Sequence, residues 1–357
     1  MKLVRDFVVS LDLKELEVYK RVFIPRLFPI GEGRAILWCV AFADTVDYWF
    51  IEVSREKVSA RQVPAEIVAQ FDTMHARHEQ VGDWFIRPFR LGDRIGILLA
   101  DKLVYLFEGI HADPVAIPIL NPFEQAPPYR GGKLMPFSPA ACGSTRDHRL
   151  PVIFKAPDAS FDYTGCMSLL DIDVAGRTAR WSARTADGHP VAVKYRAETV
   201  NIRAPEDRSS FLHDLCWTGT GMLVYSIGAH SRPGRRGLGM TYSVLLGCDS
   251  EGKQVRLLHE VDESCFGNVL SNPNQIVLEP LFRNGKRKGR QTLYDSATGV
   301  ESPILFPHGF TKFKLVDASA DQVWALGHAL WSPGTPGVSD SGKPVRVLVC
   351  RAEGPAG

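Results

Sequence analysis

Asp295-Ser296-Ala297-Thr298-Gly299 and its counterparts Asp173-Val174-Ala175-Gly176 and Asp249-Ser250-Glu251-Gly252 decide how this chain is read. An Asp that opens a short turn bonds its own backbone two or three residues on. A Gly near the end accepts φ > 0, as a tight hairpin with a bulge requires. Each turn is flanked by short runs rich in Val, Ile, Leu and aromatics, which is the strand signal. Working outward, apolar strand pairs joined by such turns recur about six times. The spacing is roughly 40–50 residues, enough for four short strands in each repeat.

With the strands of a repeat labelled a to d, the first reads 26–30, 34–42, 48–53 and 58–63. The second reads 84–86, 94–99, 103–107 and 115–119, and the third 133–137, 150–154, 167–172 and 178–182. The fourth is 211–217, 222–227, 242–247 and 254–258; the fifth is 268–270, 275–281, 291–294 and 302–306. The sixth holds only three strands, 314–316, 323–330 and 345–350, before a polar tail. Residues 3–11 carry an unassigned alternating strand, with Phe7, Val9 and Leu11 on one side. Placing it as the outer strand of the sixth repeat closes a ring and removes an exposed edge. Repeats of this kind stack radially as the blades of a β-propeller. The expectation is therefore an all-β propeller of six four-stranded blades, closed by an N-terminal strand and forming one domain over 1–357. Five or seven blades stay open, because 190–202 reads as an inserted hairpin or as part of another blade. One helix is expected at about 65–80, where Ile67, Val68, Phe71 and Met74 follow Pro64 and Glu66 at helical spacing.

Composition narrows the function classes. The formal charge is +2, so a nucleic-acid or membrane role needs a local cluster rather than the total. No apolar run approaches the ~18 residues of a membrane span. Charges recur through the first 20 residues, against a secretory signal, so a cytoplasmic location is expected. The seven cysteines (Cys39, Cys142, Cys166, Cys216, Cys248, Cys265 and Cys350) are scattered without a C-x-x-C and read as reduced thiols.

Catalytic motifs fail on inspection. Gly337 to Lys343 nearly spells a phosphate loop, but Pro344 replaces the hydroxyl and a strand follows instead of a helix. His75, His78 and Glu79 lack the spacing of a zinc motif and read as a solvated helix face. Asp147-His148 and His213-Asp214 are adjacent in sequence, which says nothing about a triad. The seven tryptophans lie mostly in strand runs, as packing residues would. No catalytic residue, cofactor or metal is expected.

Loop length gives a positive signal. In a propeller the b–c and d–a connections share one face, and the long segments here all belong to it. Long loops gathered at one end of a rigid scaffold are where recognition is placed. Two of these loops, on neighbouring blades, are basic. One carries Arg232, Arg235 and Arg236 beside His230; the other carries Arg283, Lys286, Arg287, Lys288 and Arg290. Eight cations against a net excess of two form a local asymmetry that would attract acidic groups. Neither loop interleaves aromatics for base stacking, so nucleic acid is disfavoured.

The repeat resembles the β-propeller superfamily over about residues 3–351, with WD40-like architecture. The Trp-Asp that ends strand c of WD40 repeats is replaced by Leu293-Tyr294-Asp295 and by Leu169 to Asp173, and the Gly-His element is missing. The resemblance implies a partner platform in many propellers and an enzyme in some, and fold alone does not choose. The reading favours a monomeric, non-catalytic scaffold that binds an acidic protein, such as an inhibitor, immunity-type protein or complex subunit. A propeller hydrolase or lactonase at the channel mouth, and polyanion binding, are the alternatives.

Overall fold

The computed structural model describes residues 1–31, 33–75, 86–99, 102–120, 139–142, 145–155, 165–181, 193–195, 208–218, 221–231, 238–250, 256–262, 264–270, 274–280, 282–283, 286–287, 290–319, 321–327, 330–331 and 345–353. Six antiparallel sheets form the blades of a β-propeller. In a to d order, blade one is Arg21–Gly31, Arg34–Phe42, Val46–Val53 and Val58–Gln62. Blade two is Ile86–Leu91, Arg94–Leu99, Leu103–Phe107 and Val115–Pro118. Blade three is Pro139–Cys142, Arg149–Lys155, Gly165–Asp173 and Thr178–Trp181, and blade four Arg208–Trp217, Gly221–Ser231, Leu238–Asp249 and Arg256–Asp262. Blade five is Ser264–Val269, Gln275–Pro280, Thr292–Asp295 and Val300–Pro303. Blade six takes Lys314–Ala318, Val323–Leu326 and Arg346–Ala352 from the C-terminal end and Leu3–Ser10 from the N-terminus.

That last pairing is the expected closure. Leu3 sits opposite Ala352 and Ser10 opposite Arg346, with one bulge between Arg5 and Phe7. Charges reinforce it: Asp6 meets Arg55 of blade one and Arg351 of blade six, and Lys2 pairs with Glu353 at 2.7 Å. The chain then crosses to blade one through a single 3₁₀ turn, Lys14–Leu16, with Leu11, Leu13, Leu16 and Tyr19 buried.

Strand alternation builds the walls between blades. In Arg34–Phe42, Ala35, Leu37, Cys39 and Ala41 pack toward blade six, while Ile36, Trp38 and Val40 pack toward blade two. In Val323–Leu326, Trp324 and Leu326 join the core with blade one, and Val323 and Ala325 the core with blade five. A strand buried on both faces needs apolar residues at every position, which is why these runs read as continuously hydrophobic.

The turns obey their chemistry with one exception. Asp295 Oδ1 accepts from the backbone N–H groups of Ala297 and Thr298 at 2.9 and 3.0 Å, and Gly299 takes φ 72°. In the Asp173 turn the carboxylate accepts from Gly176 N at 2.9 Å, but the left-handed residue is Arg177, at φ 50°, rather than Gly176. The Gly of the Asp249 turn lies outside the described residues.

Several boundaries move. The first strand of blade three, expected at 133–137, lies outside the described residues; Pro139–Cys142 takes that position. Residues 193–195 extend the outer edge of blade three by pairing with Gly165 to Met167, so they form no seventh blade. The second strand of blade six stops at Leu326. Leu330–Trp331 instead pairs with Val22 and Phe23, on the inner edge of blade one. Of the helix expected at about 65–80, Ala65–His75 is helical, with Ile67 fully buried and Gln70 accepting from the Tyr105 hydroxyl at 3.0 Å, and 76–80 lie outside the described residues. No helix among the described residues is long and apolar enough to cross a membrane.

Candidate functional site

The topology places the b–c and d–a connections on one face, so both basic loops are b–c loops of adjacent blades. In blade four the b and c strands pair as far as Ser231 and Leu238. Arg232, Arg235 and Arg236 follow Ser231 and lie outside the described residues, as does Lys288. In blade five the b–c loop folds a small hairpin of its own, Phe282–Arg283 against Lys286–Arg287. Arg283, Lys286 and Arg287 are therefore all carried on one ladder, and Arg290 is exposed at its base.

That base is fixed to blade six. Gln291 is only 3% exposed, and both ends of its amide are used: Nε2 donates to Phe313 O at 3.2 Å, and Oε1 accepts from Leu315 N at 2.9 Å. On the incoming side Glu279 pairs with Lys314 at 2.7 Å. A buried amide with both ends satisfied holds a strand in one place, since leaving either end unpaired costs about 1–3 kcal/mol. The hairpin thus rises from two anchors on the first strand of blade six. Leu330–Trp331 belongs to the b–c connection of blade six, on this same face, beside the channel-lining strand of blade one.

The opposite face holds a feature that sequence reading passed over. A cleft of about 790 Å³ opens between blades three and four. It is lined by the Arg146 to Arg149 turn, by Asp171 and Arg180 of the outer strands, and by Trp217 and Ser250 of blade four. Asp147-His148 was the visible signal, but its neighbours come from three other segments. Among the described residues no group of three or more His, Cys, Asp or Glu stands close enough to hold a metal ion.

Among the described residues the clearest titration shifts fall at structural positions. The Tyr19 hydroxyl is pushed up to about 12, first by burial and then by its hydrogen bond to Asp47. Burial raises the Cys39 thiol strongly, and it pushes Cys350 up to about 11 with help from Asp6. Cys39, Cys216, Cys248 and Cys350 form no disulfide among the described residues.

No protein-family model matches the chain, and no curated protein does. Among solved structures it is similar to an oligogalacturonate lyase in complex with manganese, with 11% identity over 99% of this chain and 97% of that one (TM-score 0.43). The Pyrococcus horikoshii acylaminoacyl peptidase matches 87% of this chain and 44% of its own, at 11% identity and TM-score 0.43. The β-propeller domain of the trilobed protease from Pyrococcus furiosus matches 86% and 91%, at 10% identity and TM-score 0.36. These likenesses concern the fold.

Proposed function

We propose that this propeller is a non-catalytic cytoplasmic binding protein that recognises an acidic protein partner through the b–c loops of blades four and five. The observation that supports the reading is the blade-five hairpin: Arg283, Lys286 and Arg287 on one short ladder above a base clamped by Gln291 and Glu279. Cations displayed from a fixed base lose less conformational freedom on binding than cations on a free loop. Guanidinium groups also bind carboxylates in bidentate fashion, so an arginine-rich rim selects acidic surfaces. Arg232, Arg235 and Arg236, on the b–c connection of the neighbouring blade, are proposed to add to the same recognition.

Affinity purification with the chain as bait, from its native host, tests this directly. Replacing Arg235, Arg236, Arg287 and Lys288 by Glu is expected to remove acidic partners while leaving the melting temperature unchanged. An unchanged partner profile from the reversed chain would sink the proposal. Retention on heparin that weakens steeply with salt, without any protein partner, would move the reading to polyanion binding.

A further inference from the structure

The cleft between blades three and four begins with an unusual turn. Arg146 and Arg149 close the a–b hairpin of blade three through two backbone hydrogen bonds, 3.1 and 2.9 Å long. Asp147 and His148 are left at its centre with φ 50° and 63°. A two-residue turn with both residues left-handed is built with least strain from Asn-Gly. Asp and His tolerate this region better than most side chains, yet His in place of Gly retains backbone strain. The imidazole makes no hydrogen bond or ion pair among the described residues that would offset the strain. Only its backbone carbonyl is used, accepting from Ile172 N at 2.9 Å.

Register supplies a second wall. Arg149, Asp171 and Arg180 are direct partners across strands b, c and d of blade three. Asp171 is committed to Arg149, with Nε to Oδ1 at 2.9 Å. Arg180 stays exposed, with no ion pair among the described residues. On the blade-four side, the Arg146 guanidinium lies 4.5 Å from the centroid of the Trp217 ring and donates to Thr218 O at 2.7 Å. Trp217 Nε1 is enclosed and reaches no acceptor among the described residues. Unused groups of both signs therefore surround one aromatic wall.

Charge decides the ligand class. Among the described residues the lining carries Arg146, Arg149 and Arg180 against Asp147, Asp171 and Asp173. A polyanion would meet three carboxylates, and a polycation three guanidiniums. A neutral molecule whose hydroxyls both donate and accept is served by all of them. The volume of about 790 Å³ suits a small molecule rather than a protein segment. We propose that this cleft binds a neutral, hydroxyl-rich ligand of the saccharide class. In it Arg180 donates, Asp147 accepts, His148 does either, and Trp217 provides the apolar wall.

The test titrates the full chain with neutral trisaccharides built from glucose, galactose, mannose and xylose, with citrate and spermidine as charged controls. Ligand-observed NMR and tryptophan fluorescence give the readout. Saturable binding of at least one trisaccharide is expected, weakened about tenfold or more by Arg180→Ala. The double change Asp147→Asn with His148→Gly is expected to weaken binding similarly while melting at or above the parent temperature, because it relaxes the turn. That second variant separates lost binding from lost folding. No binding of any trisaccharide up to about 10 mM, stronger binding of citrate or spermidine, or affinity unchanged in both variants would each overturn the proposal. Lys286→Glu with Arg287→Glu, on the far face, should leave saccharide binding intact, so the two proposed sites stand or fall separately.

Discussion

At the boundary between blades six and one, nineteen buried residues from three chain segments interlock, with apolar residues at alternate positions through the middle of the facing strands. At the boundary between blades three and four, the same layer of the propeller gives way to a charged cleft of about 790 Å³. The scaffold is alike in both places; the residues at the strand ends differ. Ala35, Leu37, Cys39 and Ala41 continue the apolar alternation to the end of their strand. In blade three the row Arg149–Asp171–Arg180 interrupts it at one end of the strands, while the next pair inward on the same face, Pro151 and Leu169, is buried and apolar. Packed strand ends close the wall between blades six and one, and charged strand ends leave a cleft between blades three and four.

The hardest way to break this comparison is to remove the closure. Deleting residues 1–12 takes away the outer strand of blade six, its pairing with Arg346–Ala352 and the contacts of Asp6 with both neighbouring blades. It also removes the reach of Met1 and Leu3 to Pro303 and Leu305, which ties in blade five. The truncated chain is expected to lose cooperative thermal unfolding. If it melts like the parent by circular dichroism, the ring does not depend on this strand.

Leu37→Ala is next in size. Leu37 is fully buried in the six–one core, and a cavity there is expected to cost about 2–5 kcal/mol in urea unfolding. A cost under about 1 kcal/mol would mean that this boundary is no tighter than the cleft side.

Much of this contrast is legible in the sequence and part of it is not. Period-two alternation and Asp-x-x-Gly turns are local signals, so the six repeats, the closure strand and the helix at Ala65–His75 can be read directly. The pairing of Leu330–Trp331 with Val22 and Phe23 joins segments about three hundred residues apart, with no local pattern to announce it. The cleft is hidden for the same reason. Arg149, Asp171 and Arg180 become a row only through register, and Trp217 arrives from the next blade. The basic loops are visible as composition, while the anchor of the blade-five hairpin at Gln291 is not, since a single buried amide leaves no pattern.

Tyr19→Phe probes the six–one boundary more finely. The hydroxyl donates to Asp47 at 2.7 Å and accepts from Trp49 Nε1 at 3.2 Å, so its loss should cost about 1–2 kcal/mol at neutral pH. The pH profile supplies a sharper mark. The native phenol titrates at about 12, against about 10 when free, so between these values the unfolded chain releases a proton that the native chain keeps. Stability from this group is full below pH 10 and lost as pH rises toward 12. The Phe variant should show a shallower alkaline decline. An identical decline in both proteins would place the titration elsewhere.

The smallest expected effect bears most directly on what the cleft is for. Arg180 is exposed and has no ion pair among the described residues, while its cross-strand neighbour Asp171 is held by Arg149. Exposed side chains away from caps and networks usually change stability by no more than about 0.5 kcal/mol when replaced. Arg180→Ala should therefore leave urea unfolding almost unchanged, in contrast with Leu37→Ala. If it instead costs more than about 1.5 kcal/mol, Arg180 is a structural partner in a charged joint between blades. The boundary between blades three and four would then resemble the six–one boundary in purpose, held by charge where the other is held by burial. If stability is untouched, the guanidinium is free for a ligand, and its place in the cleft with His148 and Trp217 has no use in folding.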